Sequence, residues 1–317
     1  VASFFVIRNG VNEAQRRLDA SVIPALAEPT GSTLTTPHTI LFLGIDSGAS
    51  RTETGRADSI VLIRTDPDNH QISLLSIPRD LRVEVPGRGL DKINSAYNEG
   101  GVSLMVSVVE NTTRIPVNHV ALIDFDAFPS MIDAINGIEI DVPSPIISNR
   151  FDCPYSSETV CSQWAGWRFP KGKQTLDGER ALIYSRIRKN NLNESESDIT
   201  RSARQQTVIR TTANKLVSAW TFIRLPFVGH KMTSPLTTDL TTTELFELAW
   251  VKFRTPDENI IQCRLGGAPT RIDGTSYLIG TSQNAVTVNM FLGRSNPRKP
   301  RAVDGPYASG CPVVGSQ

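Results

Sequence analysis

The sequence predicts a layered α/β domain, with helices on both faces of a mixed, mainly central β-sheet and a C-terminal extension. Three observations carry this. The run "TILFLGID" is apolar up to Asp46, as a fully buried central strand is. Strand and helix patterns then alternate through the first half of the chain, which is how a sheet acquires helices on both faces. Finally, "DSIVLIRTDP" and "QISLLSIPRD" are each stopped by proline and joined through "DN", a hairpin that makes the sheet mixed rather than parallel.

The elements follow in order. Residues 1–20 read as a helix and "SVIPALAEPTGSTLTTPHT" as a Pro/Thr-rich linker. After the strand ending at Asp46 comes a polar loop, "SGASRTETGR", and then the hairpin. "VSLMVSVVENTT" reads as a helix despite its valines, "VNHVALIDF" as a strand, "AFPSMIDAI" as a short helix and "GIEIDVP" as a strand. Periodicity disappears between Pro143 and Lys173, a stretch that holds Cys153 and Cys161. "LDGERALIYSR" is a helix with Asp177 as its N-cap, and "DITRSARQQTVIRTTANKLVSAW" a longer one starting at Asp198. "TTDLTTTELFELAWVKF" holds a further helix capped by a threonine. Beyond Arg254 the chain is interrupted by Gly and Pro. The division is therefore 1–38 (helix and linker), 39–254 (main domain) and 255–317 (extension).

Bulk charge excludes some roles. Lys and Arg total 33 against 32 Asp and Glu, a net charge of +1, so there is no basic field for nucleic acid. No run reaches the ~18–20 apolar residues of a membrane helix. The opening "VASFFVI" is either the end of such a helix or an amphipathic helix packed on the body. The four cysteines, Cys153, Cys161, Cys263 and Cys311, lack zinc-ligand spacing. One close pair and one C-terminal pair fit two disulfides, Cys153–Cys161 and Cys263–Cys311, and an oxidising compartment. Four buried thiols are the alternative.

Common catalytic motifs (a Walker A loop, GxSxG, HExxH) are absent. What stands at element ends is acid and arginine. Asp46 ends one strand and Asp58 opens the next, where two carboxylates can share Mg²⁺ with phosphate oxygens and water. Arg79 follows Pro78 at another strand end, and "LDKINSAY" adds Lys92 and Asn94. Arg186 and Arg188 share a side only if their helix ends near Ser185 and the chain runs on extended. Arg201 and Gln205 lie one turn apart at a helix start, which favours anions. Arginines from several element ends facing two aspartates make a clamp for phosphate or pyrophosphate.

In order and spacing, "LGID", "GRADSIVLIRTD", "ISLLSIPRD", "LDKINSAYNEGG", "DFDAFPSMIDAINGIEIDV", "LDGERALIYSRIR" and "DITRSARQQ" resemble the LytR-CpsA-Psr family, from about Thr39 to Leu216. The resemblance implies an α/β/α sandwich outside the cytoplasm, anchored by a single N-terminal membrane helix. It implies transfer of a glycopolymer from a polyprenyl-pyrophosphate carrier onto peptidoglycan, at the muramic-acid C6 hydroxyl, with Mg²⁺. Asp46 and Asp58 then match the metal-associated aspartates and, with Arg79, are the catalytic candidates, Asp58 as the general base. Arg56, Arg79, Arg186, Arg188, Arg201 and Gln205 match the pyrophosphate grip, with Lys92 and Asn94 in the same motif set. One departure is Gly48, where the family often has arginine; Arg51 is the nearest substitute. The two cysteine pairs and the long tail resemble what actinobacterial members carry. The glycopolymer is arabinogalactan if the source bears mycolates, and otherwise teichoic acid or capsule. A pyrophosphatase, or a binding module without turnover, is the alternative. "VSLMVSVV" and "FDAFPSMI" are candidates for the lipid groove or for plain core.

Overall fold

A computed structural model describes residues 2–46, 56–187, 189–193, 198–216, 231–300 and 307–311. Six strands form the central sheet: β1 (His38–Asp46), β2 (Arg56–Asp66), β3 (Gln71–Ser76), β6 (His119–Asp124), β11 (Leu236–Thr238) and β12 (Ile260–Arg264). Their order is β11-β6-β1-β2-β3-β12. The β1–β2 and β2–β3 pairs are antiparallel, whereas β6 lies parallel to β1 and β12 parallel to β3. The hairpin turn is PDNH, closed by His70 in the left-handed region at φ 47°.

Alternation along β1 explains the layers. Leu41 and Leu43, fully buried, face a core shared with Ile60, Leu62, Leu75 and helix α2 (Ser95–Thr113). Phe42 faces the other side with Val61, Leu74 and Ile209. Ile209 belongs to α6 (Asp198–Leu216), which packs on α5 (Gly178–Arg186), itself packed on α3 (Phe128–Ala134). The result is the expected helix–sheet–helix sandwich. Met105, Val106, Val108 and Val109 of α2 are fully buried. "VSLMVSVV" is therefore core and not a lipid groove.

Two segments depart from expectation. The stretch after α1 (Ala2–Arg16) is docked rather than a free linker. Its 3₁₀ turn Ala20–Ala25 buries Val22 in the main core, and Ala27 donates its N–H to the Val117 carbonyl at 2.8 Å. Helix α1 itself packs on β11, with Val11 and Ala14 fully buried. No helix among the described residues is long and apolar enough to cross a membrane. After α7 (Thr242–Arg254), closed by a Thr241–Glu244 capping box, β12 adds an edge strand to the sheet. "IIQCR" is five residues long, too short for its alternation to stand out. The extension goes on as the hairpin β13 (Ala268–Ile272) and β14 (Thr275–Ile279) and the helix α8 (Gln283–Phe291).

Disulfides join Cys153 to Cys161, with Cα atoms 5.7 Å apart, and Cys263 to Cys311, at 4.0 Å. The first lies in the unpatterned insertion and the second ties the tail to β12. By loop-closure entropy, losing the second costs about 4 kcal/mol and losing the first about 2.5 kcal/mol. Calorimetry of the two Cys→Ser double variants should therefore show the larger fall in Tm for Cys263/Cys311, and equal falls would contradict the loop-length account.

At the sheet's opposite end a buried chain runs from His38 Nδ1 to His119 Nε2 (3.0 Å), and from His119 Nδ1 to Asp239 (2.7 Å). Burial, then the neighbouring His119, holds His38 below the ordinary imidazole value, against opposing pulls from the Gly31 carbonyl, Glu244 and Glu247. The unfolded chain therefore takes up this proton first. The contribution of His38 is present above pH ~6.5 and is lost as pH falls below it toward the folded-state value. Thermal melts from pH 7.5 to 5 should show a declining Tm, with a flatter profile for His38→Gln.

Candidate active site

Asp58 owes its position to a defect in the sheet. Gly44 pairs with Ser59 and Ile45 with Ala57, so Asp58 is the extra residue of a β-bulge. A bulge ends the regular alternation and turns a side chain away from the face it would otherwise occupy. The carboxylate, about a quarter exposed, accepts a hydrogen bond from Arg79 Nη1 at 2.6 Å. Arg79 sits in the "SIPRD" loop. That loop is pinned from three directions, by Ile77 N–H to Ile60, Leu265 N–H to Ser76 and Leu278 N–H to Asp80 (all 2.9 Å). Asp80 lies 3.6 Å from Arg79 Nε and 2.6 Å from Lys92 Nζ.

Lys92 and Asn94 both contact the Arg79 loop, and Lys92 reaches Asp80 and Tyr277 of the cleft wall. Lys92 pairs with Asp80, and the Asn94 N–H donates to the Arg79 carbonyl at 3.3 Å. Lys92 comes from β5 (Gly89–Lys92), paired with β4 (Arg82–Val85) in a hairpin that the sequence pattern does not reveal. Asp46 and Arg56 are backbone partners at the open end of β1 and β2. Their side chains, and Arg188 entirely, lie outside the described residues.

From the other wall, the first turns of α6 present Arg201, only 7% exposed, and Gln205. Helix α5, capped by Asp177, ends at Arg186, and Ile187 turns extended at ψ 124°. This is the helix end that the Arg186/Arg188 spacing calls for. The exposed Arg186 holds its guanidinium 5.5 Å from the Phe125 ring centre, a cation–π contact. Arg204 donates to the Ile187 carbonyl and so joins the α5 end to α6.

These groups meet where two clefts join. A cleft of about 820 Å³ is lined by Asp58, Arg79, Asp80, Arg201, Gln205, Arg264 and Tyr277. A second, of about 1240 Å³, shares Asp58, Arg201 and Gln205 and adds Phe125, Trp167, Leu182 and Arg186. Three arginines line the first cleft with two aspartates, one of them already paired with Lys92. This leaves a positive excess suited to an anion. A third cavity, about 360 Å³, is apolar. Phe42, Ile123, Phe128, Val208 and Ile209 line it, and it shares Phe125, Leu182 and Gln205 with the second cleft. Of the two groove candidates, "FDAFPSMI" thus supplies wall residues in Phe125 and Phe128, while Met131 and Ile132 are core.

Gly44 keeps this junction open. A Cβ there would lie 2.6 Å from the Phe125 ring and 3.0 Å from the Ser59 Cβ. Gly44→Ala should therefore push Phe125 aside, at a cost of ~1–3 kcal/mol, and loosen Arg186 with it. Titration with a prenyl pyrophosphate should show weakened binding beyond what the Tm shift explains, and unchanged binding would refute the Phe125 link.

Sequence reasoning missed Arg264, Asp80 and Tyr277. Arg264 lies in an edge strand read as tail, and burial holds its guanidinium below the ordinary arginine value. Tyr277 comes from the β13–β14 hairpin, with Arg82 and Lys92 over its ring at 5.5 and 5.8 Å. No local pattern announces either residue.

Comparison with known proteins agrees with this architecture. The chain is 34% identical over 211 residues to the polyisoprenyl-teichoic acid–peptidoglycan teichoic acid transferase TagV of Bacillus subtilis, and that match spans 51% of TagV's own length. It is 32% identical over 258 residues to TagU of Enterococcus faecalis, covering 81% of this chain and 78% of TagU. The crystal structure of B. subtilis TagV superposes with a TM-score of 0.68 at 29% identity, over 82% of this chain and 97% of that one. The YwtF (TagT) structure with bound octaprenyl pyrophosphate lipid superposes at 0.61 and 25% identity, over 84% and 94% of the two chains. The LytR_cpsA_psr family matches residues 8–291, and the chain belongs to that family.

Proposed function

We propose that this protein moves a glycopolymer from a polyprenyl-pyrophosphate carrier onto peptidoglycan. The observation that carries the reading is the joining of a guanidinium-lined cleft to an apolar cavity through the shared Gln205 and Phe125. That combination matches an amphiphile with an anionic head and a hydrocarbon tail. Teichoic acid, named for the relatives, is the first glycopolymer to try, and arabinogalactan the second. The two disulfides support a site of action outside the cytoplasm, next to the membrane that holds the lipid carrier, with a single N-terminal span as the anchor.

In this reading the lipid seats in the apolar cavity and the pyrophosphate lies across Asp58, Arg201 and Gln205. A peptidoglycan hydroxyl attacks the phosphorus that bears the glycan, forming one P–O bond as the bridging P–O bond breaks. The hydroxyl proton passes to the Asp58 carboxylate, and polyprenyl phosphate leaves with its charge met by Arg186 and Arg201, while Arg79 neutralises the phosphate under attack. Arg56 and Arg188 belong to the same clamp by position in sequence. Asp58, with Asp46 ending the neighbouring strand, offers the one or two carboxylates that Mg²⁺ takes beside phosphate oxygens. When bound there, Mg²⁺ supplies charge neutralisation to the pyrophosphate.

The test is reconstitution with a lipid-linked teichoic acid precursor and purified peptidoglycan, scoring glycan attachment and polyprenyl phosphate release, with and without EDTA. Release that depends on peptidoglycan supports transfer. Release without an acceptor makes the protein a pyrophosphatase, and binding without release makes it a carrier-binding module.

A further inference from the structure

Arg264 is built into the cleft with care that the tail's composition does not suggest. Its backbone exchanges two hydrogen bonds with Gly310, at 2.9 and 3.1 Å, and its Nε donates to the Ala308 carbonyl at 2.9 Å. The preceding residue, Cys263, is locked to Cys311 by the disulfide. Cys263 also accepts a hydrogen bond from Gln206 Nε2 at 2.9 Å, inside the protein. Gln206 directly follows Gln205 on α6, so this bond sets Arg264 in register with the Arg201–Gln205 turn. Gly266 contributes too, since a Cβ there would lie 2.0 Å from the Tyr307 carbonyl and prevent the tail from closing on β12.

So fixed, Arg264 lines the first cleft with Asp58, Arg79 and Arg201. Among the described residues the Ala308 carbonyl is its side chain's only hydrogen-bond partner, and no carboxylate pairs with it. A half-buried guanidinium with no carboxylate is costly, and an oxyanion in the cleft removes the cost. The forked terminal nitrogens suit a phosphate.

We propose that Arg264 binds the phosphate on the glycan side of the pyrophosphate, and that the Cys263–Cys311 staple positions it for this. The assignment rests on the transferase reading above. The apolar cavity adjoins the second cleft and draws the lipid-side phosphate toward Phe125 and Arg186. The first cleft, on the β12–β14 side of Asp58, receives the other phosphate. In-line displacement also requires the acceptor to enter opposite the departing lipid phosphate, which places the attacked phosphorus on the Arg264 side.

The experiment compares geranylgeranyl pyrophosphate with geranylgeranyl phosphate by calorimetric titration of the wild type, Arg264→Gln, Arg264→Lys and the Cys263→Ser/Cys311→Ser pair. The wild type should prefer the diphosphate. Arg264→Gln should weaken diphosphate binding about 10-fold or more while monophosphate affinity changes less than about 2-fold. Arg264→Lys, the variant that keeps the charge, should fall between and carries the test if the Gln variant melts early. Wild-type preference in both Arg264 variants overturns the assignment and leaves the transferase reading standing. A wild type that binds neither ligand overturns that reading and Arg264's role together. The cysteine pair should show a smaller loss of the same preference, and an unchanged preference there refutes the positioning role.

Discussion

Asp58→Asn should lower the rate of glycan transfer on the order of 10³-fold, within the range for a lost general base. The side chain keeps its shape and still meets Arg79, 2.6 Å away in the parent, but loses its charge and its power to accept a proton. Stability should fall by about 1–2 kcal/mol at most, because the amide oxygen of the variant still accepts a hydrogen bond from Arg79. A large fall in kcat with a Tm within a few degrees of wild type is the expected result. A variant that keeps more than about a tenth of the parent rate, well short of the ~10²-fold minimum for such a base, removes Asp58 from the chemistry.

Arg201→Lys should be nearly as damaging, with about 10²–10³-fold lost from kcat/KM. Arg201 is 7% exposed at the junction of the two clefts. Lysine keeps the positive charge but replaces a planar fork with a point donor, so two oxygens of a phosphate are no longer gripped together. An arginine that merely filled space at the start of α6 would tolerate lysine with a change of a few-fold in rate. Steady-state kinetics over a range of donor concentrations separate the cases, and a wild-type kcat/KM for the Lys variant would end the clamp.

The elements that build the site were legible where the pattern is long or the punctuation sharp. "TILFLGID" marks the central strand because a strand covered on both faces has no polar positions to hide. Asp177 and a capping threonine before "TELFELAW" mark helix starts because a side chain must satisfy the first N–H groups. Asp58, Arg79, Arg186 and Arg201 stood out as acid and arginine at element ends, with Gln205 one turn on from Arg201, and the fold brings all five to the two joined clefts.

Three things were not legible. Short elements such as β12 and the β4–β5 hairpin carry too few alternations to rise above loop composition. The docking of residues 20–27 depends on Val22 meeting a core built by segments far along the chain. That Lys92 and Asn94 also touch the Arg79 loop, through Asp80 and the Arg79 carbonyl, depends on the β4–β5 hairpin folding back on it.

By itself, then, the sequence determined the layering, the strand that lies at the centre, and which arginines and aspartates stand at element ends. These follow from burial period and capping, which act over a few residues. The tertiary structure alone decided that Asp58 occupies a bulge, that the apolar cavity opens beside Gln205, and that a tail arginine completes the cleft wall. Each of these depends on register between strands or on contact between segments tens to hundreds of residues apart, where side-chain packing, and not local preference, fixes the geometry.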